Sequence, residues 1–111
     1  MNGRRLLFVM GVVALFLTGT AEARQGVAGM RGRVVDASKA VLPGATVRVT
    51  HRGSGVARET VSGSDGSFSI PGLVPGPYEV RAELSGFNPF VLQEIVLPVG
   101  ATAQVDITLQ V

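Results

Sequence analysis

Ala101-Thr102-Ala103-Gln104-Val105-Asp106-Ile107-Thr108-Leu109-Gln110-Val111 alternates between apolar and polar side chains without a break. Successive side chains of a strand point to opposite sides of its backbone, so a period of two marks a strand with one buried face. Here the buried face would carry Ala101, Ala103, Val105, Ile107, Leu109 and Val111, and the wet face Thr102, Gln104, Asp106, Thr108 and Gln110. Working outward, the same pattern sets Tyr78, Val80, Ala82 and Leu84 against Glu79, Arg81 and Glu83. It recurs with Ala45, Val47 and Val49 against Thr46, Arg48 and Thr50, and with Phe68 and Ile70 against Ser67 and Ser69. After residue 23 no helical period persists for ten residues.

Between these runs lie Leu42-Pro43-Gly44, Arg52-Gly53-Ser54-Gly55, Ser64-Asp65-Gly66, Val74-Pro75-Gly76-Pro77 and Leu97-Pro98-Val99-Gly100. Glycine supplies positive φ and proline fixes φ, which is the chemistry of chain reversal. The spacing predicts an all-β fold: a seven-stranded antiparallel, Greek-key-like sandwich with strands near 30–36, 45–51, 56–61, 67–71, 77–84, 89–96 and 101–111. Pro89 breaks the alternation of the sixth strand and belongs at a strand start, an edge or a bulge. The final segment is the candidate exposed edge. No internal repeat is visible.

The N-terminus has a different character. Arg4 and Arg5 precede an apolar stretch from Leu6 to Leu17, and Ala21-Glu22-Ala23 follows a short polar run. That layout predicts a helical signal peptide over 1–23, cut after Ala23, then a flexible lead-in over 24–28 and one domain over 29–111. The apolar stretch is shorter than the roughly 20 residues of a spanning helix, so no permanent membrane span is expected after cleavage. Cleavage removes Arg4, Arg5 and Glu22, taking the net charge from +2 to +1. No run of basic residues remains, and a nucleic-acid partner is not expected. Without cysteine, the domain must be held by its hydrophobic core alone.

The inventory argues against enzyme chemistry. His51 is the single histidine and no cysteine is present, so neither a multi-histidine zinc site nor a thiol site can be built. His51 shares the parity of Val47 and Val49 at a strand end, which is the place of a rim residue. Asp65-Gly66 offers one carboxylate where hard cations collect several, and reads as a hairpin turn capped by Asp65. Asp36 reads likewise as a strand-end turn residue. No catalytic residue, cofactor or metal is expected.

Gly32-Arg33-Val34-Val35-Asp36, Ala40 through Val49, Glu59-Thr60, Asp65-Gly66-Ser67-Phe68, Leu73 through Val80 and Gly86-Phe87, in this order and spacing, resemble the carboxypeptidase regulatory-like domain family. That family is a transthyretin-like sandwich in the carbohydrate-binding-like group of folds. Its members are attached to zinc carboxypeptidases, to surface proteins, or to the N-terminus of TonB-dependent outer-membrane receptors. The resemblance implies a non-catalytic accessory module of the cell envelope, whether periplasmic, outer-membrane-associated or secreted. The expected partner is an envelope protein, met through loops or an open sheet edge, or alternatively a polysaccharide. Sugar platforms use exposed aromatics. Phe68 and Tyr78 fall on core faces, which leaves Phe87 and Phe90 as the candidate ligand or partner surface.

Overall fold

Val47 and Val49 are fully buried while Arg48 between them is exposed, and this alternation builds each layer of the sandwich. The computed structural model describes residues 27–111; the expected signal peptide and its cut after Ala23 lie outside the described residues. Among the described residues eight strands form: β1 (Ala28–Asp36), β2 (Thr46–His51), β3 (Ala57–Val61), β4 (Ser67–Leu73), β5 (Gly76–Glu83), β6 (Phe90–Leu97), β7 (Thr102–Gln104) and β8 (Ile107–Leu109). One sheet has the order β4-β1-β7, with β8 continuing on β1 beyond β7, and the other has the order β3-β2-β5-β6. The chain passes between the sheets after β1, β3, β4 and β6, which gives the Greek-key-like weave.

Between the sheets lie Met30 and Val34 of β1, Phe68, Ile70 and Leu73 of β4, and Val47 and Val49 of β2. Tyr78, Val80 and Ala82 of β5 meet them, with Ile107 and Leu109 of β8 and Val105 before it. Each large apolar side chain so buried contributes roughly 1.5–3 kcal/mol, and this core replaces the absent disulfides.

The structure departs from the expected seven antiparallel strands in two ways. The final segment runs parallel to β1, not antiparallel, with Gly29 opposite Thr102 and Val34 opposite Ile107. Alternation dictates which side chains face inward but leaves strand direction open. Direction follows from the path. β6 ends at the pole of the sandwich where β1 begins, so a chain crossing from Leu97 into the first sheet runs the same way as β1.

The segment is also split in two. A side chain on Gly32 would place its Cβ 1.7 Å from the carbonyl oxygen of Val105, so the backbone of Val105 occupies the space that a side chain would need. The Val105 N–H donates to the Arg31 carbonyl at 2.8 Å, and the pairing offset is the same on both sides of the break. Facing is kept through the middle of the segment, where Val105, Ile107 and Leu109 are buried and Ala103 half-buried, while Ala101 and Val111, expected on the same inward face, lie beyond the paired strands and are exposed.

Other boundaries shift by a residue or two. β1 starts at Ala28, which is buried and pairs with Leu73, and β4 continues through Pro71 and Gly72. β6 starts just after Pro89. Tyr78 pairs with Ile95 and Val80 with Leu92, so β6 carries an extra residue in a bulge at Gln93 and Glu94.

Turn chemistry closes the β3 to β4 connection as expected. Asp65 accepts from the Ser67 N–H at 3.0 Å, and Gly66 adopts φ 78° with its prospective Cβ 2.7 Å from the Val34 carbonyl. Ser62 is the one buried polar residue among those described. Its hydroxyl accepts from the Ala45 N–H at 2.9 Å and donates to the Leu42 carbonyl at 2.7 Å, tying the turn before β2 to the end of β3.

Candidate functional site

Phe87 and Phe90 sit at the pole where β5 turns into β6. The Phe87 N–H donates to Leu84 at 3.0 Å, and the Asn88 N–H donates to the Gln110 carbonyl at 2.6 Å, linking this loop to the end of the last strand. Both phenylalanines are half-buried and pack against the core. They line separate depressions on either side of Pro89: Phe87 lines one with Gly44, Thr46 and Leu84, and Phe90 lines the other with Val91, Thr108 and Gln110. The structure therefore holds them near one another in the chain without making one shared platform. Phe68 and Tyr78, read as core residues, are buried.

His51 is spent on the backbone around it. Its ring meets Tyr78 edge-on, with centroids 5.1 Å apart at 86°. The Ser54 N–H donates to Nδ1 at 3.0 Å, which leaves the proton of the neutral ring on Nε2, 3.3 Å from the Pro75 carbonyl oxygen. The ring thus joins the β2 to β3 turn to the β4 to β5 turn. Tyr78 completes this corner by donating to the Val74 carbonyl at 2.7 Å. Burial pushes its phenol above the ordinary value, opposed by the nearby Arg58 charge and by the bond to Val74. Arg58 points inward from β3 and donates to the carbonyls of Pro71 and Gly72, bridging the two sheets along that side.

The two aspartates singled out in the sequence cap turns. Asp36 accepts from the Ser38 hydroxyl at 2.7 Å, the Ser38 N–H at 2.8 Å and the Ala40 N–H at 3.0 Å. The Ser38 hydroxyl first, then the Ala40 N–H, holds its carboxyl below the ordinary value. Asp65 is likewise lowered, chiefly by the Ser67 hydroxyl at 2.6 Å, with a smaller contribution from the Arg33 charge. Among the described residues, no three histidine, aspartate or glutamate side chains gather within reach of one metal ion.

A larger feature escaped the sequence reading. The outer face of the β4-β1-β7 sheet is dished, with an open depression of about 760 Å³. Arg31, Arg33 and Lys39 line it, together with Ser67 and Ser69 from β4 and Gln104, Asp106 and Thr108 from the last segment. Arg31 and Arg33 alternate along β1 with the buried Met30 and Val34, while Lys39 stands in the loop after the strand. Only the parallel pairing of the last segment with β1 brings them side by side.

The family model of the carboxypeptidase regulatory-like domain matches residues 29–110. The chain belongs to this family. No curated protein matches it. Among solved structures, this member of the family superposes on a Bacteroides uniformis protein assigned as carbohydrate-binding, with a TM-score of 0.62 and 18% identity, over 76% of this chain and 41% of that one. It superposes on BcpA, the major pilin subunit of Bacillus cereus, with a TM-score of 0.59 and 14% identity, over 77% of this chain and 30% of that one. Hydroxyquinol 1,2-dioxygenase from Pseudomonas putida gives a TM-score of 0.60 and 13% identity, over 77% of this chain and 57% of that one. At these identities the likeness is one of fold, and the chain spans less than two thirds of each of these proteins. The same sandwich thus occurs in enzymes and in assembly modules, and the side chains of each chain decide its use.

Proposed function

We propose that this chain is an exported, non-catalytic accessory module of the cell envelope, acting in protein interaction or structural support. The observation that carries the reading is how its reactive side chains are used. The sole histidine and the two turn aspartates are each committed to backbone groups of their own loops. A general base or nucleophile needs a free atom directed at a substrate, and these residues hold the loops together instead. Family membership and the likeness to a pilin subunit agree with a structural role.

The route of interaction is the open edge of the first sheet. β7 and β8 pair with β1 on one side, so their other side offers unpaired backbone groups to a partner strand. Sedimentation and amide exchange test this. The reading expects concentration-dependent association, or protection of outward amides within 101–111 when a partner binds. A strict monomer at high concentration, with fast exchange throughout that segment under all conditions, would overturn the edge reading.

A second reading, a carbohydrate-binding module, is favoured by the likeness to the Bacteroides uniformis protein and by the depression beside Phe87. Titration with a panel of neutral polysaccharides decides it: shifted amide signals at Phe87 and Phe90 support it, and an unchanged spectrum removes it.

A further inference from the structure

The two outer faces of the sandwich carry opposite charge. On the first sheet Arg31, Arg33 and Lys39 stand against Asp106, which also accepts from the Gln104 amide at 2.9 Å. Asp65 lies near Arg33 at the rim. On the second sheet the outward residues are Glu59, Glu79, Glu83 and Glu94 against Arg48, Arg81 and Arg52, whose guanidinium donates to the Gln93 carbonyl of β6. Among the described residues the one ion pair joins Arg81 to Glu83; Arg31, Arg33 and Lys39 form none, and Asp65 and Asp106 offset their three positive charges only in part.

We propose that the dished outer face of the β4-β1-β7 sheet binds an acidic polysaccharide, a chain of uronate sugars. Arg31 and Arg33 stand two residues apart on β1, and planar guanidinium groups recognise carboxylates through paired hydrogen bonds. Lys39 supplies a third cation from the loop after β1. Sugar hydroxyls need both donors and acceptors, and Ser67, Ser69, Thr108, Gln104 and the Asp106 carboxylate provide them on the same surface. The shape selects the occupant. A flat sheet face of a second copy would bridge the depression, whereas a narrow chain fills it. Gly32 lines the depression, and the space its missing side chain leaves is taken by the Val105 carbonyl. This inference stands apart from the edge interaction, because the groups concerned lie on the face and not along the edge.

The test follows backbone amide resonances while polygalacturonate oligomers are added, with neutral dextran as the control. Saturable shifts are expected at Arg31, Arg33, Ser69 and Gln104 with polygalacturonate alone, fading as salt rises and the charges are screened. The double variant Arg31→Gln/Arg33→Gln weakens binding about tenfold, and Arg48→Gln/Arg81→Gln on the opposite face leaves it unchanged. Should the first variant fail to fold, Lys39→Gln in the exposed loop gives a separate reading, about threefold weaker binding. The proposal is overturned by equal binding of dextran, by shifts at Phe87 and Phe90 in place of these residues, or by undiminished affinity in the folded variants. Shifts that appear on both faces without glycan and grow with protein concentration would assign the surface to a second copy of the chain and overturn it too.

Discussion

Gly32→Ala puts a methyl group where the Val105 carbonyl already sits. The added Cβ would lie 1.7 Å from that oxygen and 2.6 Å from its carbon, so the backbone of the last segment must retreat by about 1.7 Å to restore ordinary contact at about 3.4 Å. Retreat breaks the 2.8 Å bond from Val105 N–H to the Arg31 carbonyl, costing roughly 0.5–1.5 kcal/mol. Strain and repacking of Val105 and Ile107 add roughly 1–3 kcal/mol. A total of roughly 1.5–4.5 kcal/mol corresponds to a fall in Tm of roughly 6–36 °C for a domain of this size. Gly29→Ala is the matched control three residues earlier on β1, since its Cβ would meet the movable Thr102 hydroxyl at 3.3 Å and backbone only at 3.5 Å. Thermal unfolding by circular dichroism measures both, and amide exchange locates the damage. The reasoning is refuted if Gly32→Ala unfolds within a few degrees of the parent, or if its exchange rates rise elsewhere than in 101–111.

Three further outcomes rest on single contacts. Ser62→Ala leaves the buried Ala45 N–H without its acceptor, and urea unfolding should show a loss of roughly 1–3 kcal/mol; a loss below about 0.5 kcal/mol would contradict the tie. His51→Phe keeps a ring beside Tyr78 but removes the acceptor of the Ser54 N–H, for an expected loss of about 1–2 kcal/mol, checked by the same unfolding curve. Asp36 and Asp65 have folded-state values below the ordinary 3.8, so their contribution is complete above that value and is lost as pH falls through the lowered ones. The parent should therefore lose stability below about pH 4 more steeply than an Asp36→Ala/Asp65→Ala variant. Parallel curves for the two proteins would count against these caps.

The inward faces were legible because burial imposes a period of two whatever the neighbour is. Val47, Val49, Tyr78, Val80, Phe68, Ile70, Val105, Ile107 and Leu109 are all buried where alternation put them. Turn positions were legible for a similar reason, since Asp65-Gly66 needs only local geometry. The direction of the last strand was not, because direction depends on which pole β6 reaches. Its break at Val105 belongs to Gly32, more than seventy residues away in the chain, and a lone glycine in a strand gives no hint of the backbone that will approach it. Phe87 and Phe90 were identified as aromatics off the strand faces, and the structure adds that each is half-buried in its own depression. The basic face could not be read at all, as Arg31 and Arg33 meet Gln104 and Asp106 only through long-range pairing.

The proposal that this member of the carboxypeptidase regulatory-like domain family works in the envelope is tested most directly by the intact mass of the protein recovered from fractionated cells. Loss of residues 1–23 would leave a chain beginning at Arg24, found in the periplasmic, outer-membrane or secreted fraction. A chain that keeps residues 1–23 and is confined to the cytoplasm would contradict the account.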